Sequence, residues 1–216
     1  MKHVVLLGDS IFDNAAYVPA GTEVEAQLQS RLGAQYQVRL LARDGSVLED
    51  MAAQVERLGE LPATATCLLV SCGGNDVLVL VGALKSPVRT VLEATEVLAS
   101  WQARFRGDYQ RMLDLVLSRK LPMVVSTIYD AVPGLAPGVR AALALFNDVI
   151  LREAVIRQLP VLDLRVVCDE RTDYASSSPI EPSAIGGQKI AAAIAQLVSA
   201  HDTDVMRTVV YGAALP

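Results

Sequence analysis

The sequence predicts one α/β domain, a sandwich built around a parallel sheet of about five strands. Three observations carry that expectation. Short apolar runs alternate with segments of helical period along the chain, the pattern of βαβ units. The runs are continuously apolar, as in strands covered on both faces. The 216 residues are 52% hydrophobic and 20% charged, and a single domain of that size buries roughly 70% of its unfolded surface. No linker, internal repeat or low-complexity tract divides the chain, so one domain over residues 1–216 is expected.

HVVLLG, closed by Gly8, reads as the first buried strand. EVEAQLQSRLG places Val24, Leu28 and Leu32 one turn apart and ends on Gly33, a helix with a glycine C-cap. QYQVRLLA is the second strand, stopped by the turn pair Asp44-Gly45, and VLEDMAAQVERLG is a helix closed by Gly59. CLLVSCGGND is a third strand running into a glycine-rich loop. From Pro87 to Lys120 the period is helical, with Gly107 as the expected break. LPMVVST is the fourth strand, PGLAPG a surface loop and VRAALALFNDVILREAVIRQ a long helix. LPVLDLR is the fifth strand, CDERTDYASSSPIEPS an irregular loop and SAIGGQKIAAAIAQLVSA the closing helix. Residues from His201 to Pro216 match no element.

Composition narrows the function classes. A net charge of −5 with pI near 5.1 and 5% aromatics argues against nucleic-acid partners. Mean hydropathy of +0.35 excludes intrinsic disorder. No run approaches the roughly 20 apolar residues of a membrane span, and Val4–Leu7 is too short for a signal-peptide core. Three Cys exclude a disulfide scaffold and suit a reducing compartment, so a cytoplasmic protein without a membrane partner is expected. The spacing of Cys67, Cys72 and Cys168 fits no zinc pattern, and no metal or cofactor is expected.

In an open parallel sheet, ligands bind beyond the carboxyl ends of the strands. There the sequence places Asp9 and Ser10, then Asp44, Gly45 and Ser46, then Gly73, Gly74, Asn75 and Asp76, and finally the SPIEPS loop. Acyl transfer needs a nucleophile, a base, and donors aimed at the oxygen that becomes negative. Ser10 offers a hydroxyl. The Ser10 amide, the unhindered Gly45 amide and the Asn75 side chain offer three donors. A small-molecule ester or acyl compound is the expected partner.

These residues resemble the blocks of the SGNH (GDSL-type) esterases and lipases: VVLLGDSIFDN the first, ARDG the second, SCGGND the third and IEPSAIGGQKIA the last. The four occur in order and span residues 8 to 190. The resemblance implies a flavodoxin-like, three-layer α/β/α fold and a serine ester hydrolase working through an acyl-enzyme on Ser10, with Gly45 and Asn75 completing the oxyanion hole. It gives Asp9, Asp76 and Ser178 supporting places, the two aspartates holding loops.

One block departs from the family pattern. Where the family has Asp-x-x-His, this chain reads Ser178 and Glu181. Of its two histidines, His3 opens the first strand at the edge away from the cleft. His201 ends the last helix, some 27 Å from the helix start at 1.5 Å per residue. Glu181 is therefore the candidate base, with Asp13, Asp169 or Asp173 to orient it. An ordinary Glu, with pKa about 4.3, is a weak base, so burial must raise it. Activity is then expected to survive at mildly acidic pH.

Three other readings stand beside this one. The triad has decayed and the fold binds an acyl or carbohydrate ligand without turnover. Alternatively, the chain is a nucleotide-binding module, although no phosphate-loop pattern surrounds Gly73-Gly74. Locally, Ser10 is only an N-cap, and Glu181 only a first-turn helix acid with Pro182 at N1. Trp101, Phe105 and Tyr109, one turn apart, are core packing or a helical lid. The segment from Leu78 to Arg106 is expected to shape an acyl pocket.

Overall fold

The computed structural model describes residues 1–59, 61–62, 66–200 and 207–213. Six strands, β1 (Lys2–Gly8), β2 (Tyr36–Leu40), β3 (Thr66–Ser71), β4 (Met123–Ser126), β5 (Val161–Leu162) and β6 (Val210–Tyr211), form one sheet in the order β2-β1-β3-β4-β5-β6. Every neighbouring pair is parallel. After β1 the chain steps outward to β2, then returns across β1 to build β3. That reversal of direction opens a crevice at the carboxyl ends of β1 and β3. Ser10 follows the first of these strands and Asn75 the second.

Both faces of the sheet are covered, because β1 alternates its apolar side chains between two cores. Val5 and Leu7 pack with Met51 and Val55 of α2 (Met51–Glu56), Phe105 and Tyr109 of α4 (Val91–Leu117), and Phe146 and Ile150 of α5 (Pro137–Ile156). Val4 and Leu6 face α1 (Val24–Leu32) and α7 (Ala184–Ala200). The short helices α3 (Gly74–Leu78) and α6 (Leu164–Val167) lie at strand ends.

Three expectations are corrected. The α4 helix runs unbroken through Gly107. A helical glycine costs about 1 kcal/mol, which the buried face of Phe105, Tyr109, Met112, Leu113 and Val116 more than offsets. Phe105 stacks on Tyr109 and meets Phe146 edge-on with centroids 5.2 Å apart, so the aromatic spacing is core. Second, Val210–Tyr211 adds a sixth strand, its Tyr211 carbonyl accepting from the Asp163 amide at 2.8 Å. Third, α7 begins at Ala184 and is capped by Ser183, whose Oγ accepts from the amides of Ile185 and Gly186 at 3.1 Å each. Pro182 and Glu181 precede the helix, so Glu181 is no first-turn acid.

Among the described residues, no helix is long and apolar enough to cross a membrane.

Candidate active site

The end of β1 is shaped by Gly8, whose φ of +126° is closed to most side chains. A Cβ there would stand 1.7 Å from the Ser71 carbonyl oxygen. The Gln54 side chain takes both backbone groups of this residue: Oε1 accepts from the Gly8 amide and Nε2 donates to the Gly8 carbonyl, each at 2.7 Å. The Asp9 amide donates to Ser71 at 3.0 Å, and Asp9 Oδ1 accepts from the Ile11 amide at 3.2 Å. The local capping bond therefore belongs to Asp9. The hydroxyl of Ser10 is left to face Glu181, and its proximity favours the ionised carboxylate.

Glu181 is held from several directions although it lies in a loop. Its amide donates to the Ser178 carbonyl at 3.0 Å, a turn with Pro179 in the position that fixes φ. Its carbonyl accepts from the Ala175 amide at 2.8 Å. On either side, Tyr129 donates to the Ile180 carbonyl at 2.5 Å and the Asn14 side chain donates to the Pro182 carbonyl at 3.3 Å. Glu181 is only 5% exposed, and its Oε2 has no hydrogen-bond partner. Burial pushes its pKa up to about 7, the Ser10 hydroxyl opposes this, and the charge of Asp44 adds to it.

Asp9, Ser10, Asn75 and Glu181 line one cavity of about 100 Å³ with an otherwise apolar wall that includes Val77, Val81, Ile128, Val132 and Leu143. Leu78 and Val81 come from the segment expected to shape an acyl pocket, whereas Trp101 and Phe105 line a separate groove. No Lys, Arg or His lines the cavity among the described residues.

The remaining site residues are placed as follows. Asn75 Nδ2 donates to the Ser46 carbonyl at 2.9 Å, tying α3 to the Arg43–Ser46 turn and leaving one N–H uncommitted. Gly45, with φ +78°, sits exposed in that turn and is not part of the cavity wall. Asp76 accepts from the Leu48 amide at 3.1 and 3.3 Å, tying α3 to the loop before α2. Asp9 holds its own loop but also faces the cavity. Ser178 contributes its backbone carbonyl.

The carboxylates expected to orient Glu181 are engaged elsewhere. Asp13 accepts from the Asp44 amide at 2.9 Å, and Asp169 and Asp173 face Lys189 at 3.8 and 2.9 Å. A different carboxylate, Asp44, fixed by the Tyr17 hydroxyl at 2.7 Å, adds its charge near Glu181. His3 lies at the amino end of β1, away from Ser10. His201 lies outside the described residues.

Solved structures share this architecture. A member of the lipolytic G-D-S-L family from Veillonella parvula superposes with TM-score 0.66 at 15% identity, covering 92% of this chain and 97% of its own. The acetyl xylan esterase AlAXEase gives 0.67 at 15%, covering 92% and 100%. An α/β hydrolase enzyme from the metagenome of Lake Arreo gives 0.64 at 22%, covering 92% and 94%. Comparison with curated proteins finds no match. The fold is thus that of G-D-S-L lipolytic proteins and esterases. Residues 6–205 match the model of the GDSL-like lipase/acylhydrolase family, and the chain belongs to that family.

Proposed function

We propose that the protein is a serine ester hydrolase in which Glu181 takes the place of histidine. The observation that carries this reading is that Ser10 and Glu181, both buried, line one largely apolar cavity. Ser10 Oγ attacks the acyl carbonyl while the Glu181 carboxylate accepts the hydroxyl proton. The oxygen that turns negative is held by the Ser10 amide and the free N–H of Asn75. The Gly45 amide, expected as a third donor, lies exposed outside the cavity wall and takes no part. Glu181 returns the proton to the departing alcohol, and water then hydrolyses the acyl-serine by the same path in reverse. A pKa near 7 suits this duty, because proton transfer is most efficient when the group titrates near working pH.

The cavity supports a short apolar acyl group. An engineered cavity of about 150 Å³ in another protein admits one benzene, so about 100 Å³ accommodates an acyl chain of a few carbons. The fold shared with an acetyl xylan esterase accords with a small acyl group.

The test is a paired one. A fluorophosphonate probe should label Ser10, and Ser10→Ala and Glu181→Gln should each lower kcat/KM on a short p-nitrophenyl ester by roughly 10²–10⁴-fold. Absence of labelling, or full activity in Glu181→Gln, overturns the reading and leaves ligand binding without turnover.

A further inference from the structure

Two carboxyls, not one, face the cavity. Asp9 is 3% exposed and Glu181 is 5% exposed, so burial strips much of the water from each. With no cation on the cavity wall among the described residues, two ionised carboxylates would repel with nothing to offset them.

Asp9 is not engaged as an ionised group would be. Its Oδ1 accepts one backbone bond, from Ile11, and Oδ2 lies 3.7 Å from where a Gly74 Cβ would stand, on the loop that carries Asn75. The titratable groups around it are Glu181 from the loop before α7, Asp76 from α3, Cys72 after β3 and Tyr129 after β4. None brings positive charge. Glu181 has Ser10 to stabilise its ionised form, and Asp9 has no such hydroxyl.

The geometry points to Asp9 and Glu181 as one titrating unit that carries a single negative charge in the working state, Asp9 keeping its proton while Glu181 gives its own up. Asp9 is then a positioning acid. While neutral it leaves Glu181 ionised beside Ser10. When it ionises, its charge opposes both the carboxylate and the oxyanion forming nearby, and turnover falls. Burial raises Asp9 to about 8, with Glu181 adding to the effect, so the second proton leaves above the first.

This rests on Glu181 as the base, and the experiment separates the two claims. In the wild type, kcat/KM should fall again on the alkaline side, above pH 8. Asp9→Asn keeps the acceptor for Ile11 and mimics a neutral acid, so it should retain activity within about tenfold near pH 7 and lose the alkaline limb. An unchanged alkaline limb, or a loss beyond a hundredfold in folded Asp9→Asn, overturns the proposal. Infrared difference spectra of wild type against Asp9→Asn at pH 7 read the proton without turnover. A protonated-carboxyl band belonging to Asp9 supports the pair even if Glu181→Gln proves active, and its absence overturns it.

Discussion

Tyr129 donates its hydroxyl to the carbonyl of Ile180 at 2.5 Å, joining the end of β4 to the residue before Glu181. The ring is fixed as well, meeting Tyr174 edge-on with centroids 5.1 Å apart. Tyr129→Phe keeps the packing and removes one hydrogen bond worth about 1 kcal/mol. The expected result is a roughly fivefold fall in kcat with little change in KM, since about 1.4 kcal/mol corresponds to tenfold. Steady-state kinetics on a short-chain ester checks it.

The acid limb of kcat/KM should lie near pH 7, where Glu181 loses its proton. Imidazole titrates in the same range, so position alone does not identify the base. Temperature does: carboxyl ionisation is nearly athermal, whereas imidazolium ionisation is strongly endothermic. Profiles at two well-separated temperatures should superpose on the acid side. A limb that moves to lower pH on warming would point to a histidine.

Asp9 makes stability fall as pH rises. Folding lifts its pKa from 3.8 to about 8, so between those values the folded chain holds a proton that the unfolded chain has released. The contribution is therefore full below pH 4 and lost by pH 8. Asp9→Asn removes this dependence. Its melting temperature should gain on that of wild type between pH 5 and pH 8, by a few degrees, as read by thermal unfolding at both values.

Val81 is half-buried on the cavity wall. Val81→Ala should shift the preferred p-nitrophenyl ester toward chains one or two carbons longer. Val81→Trp should depress turnover of all but the shortest. A chain-length series on the three proteins decides this.

Much of the fold was legible because sheet strands buried on both faces leave unbroken apolar runs, as at Val4–Leu7 and Leu68–Val70. β6 was not, since two residues paired at a sheet edge leave no period to read. Gly107 misled because a glycine's intrinsic cost is local while the packing around Phe105 and Tyr109 is not. At the site, Asp9, Ser10, Asn75 and Glu181 were named from strand ends and motif order, and all four line one cavity. Their supports were missed. Asn147 brackets the backbone of Ile128 with two bonds of 2.8 Å, and Asp44 rather than Asp13, Asp169 or Asp173 adds its charge near Glu181. A polar Asn within the apolar helix run ALALFNDVI was the one available signal. Which carboxylate neighbours which depends on loop packing that no spacing encodes.

The double grip of Gln54 on Gly8 has a consequence for how binding energy is used. At the last residue of β1, still in register with Ser71, an amide from a distant helix holds both backbone groups. The turn bearing Ser10 is thereby oriented when the chain folds, and an arriving ligand finds it already aimed. Little reorganisation is left for the encounter itself, so affinity gained from the acyl chain goes to the reacting bond.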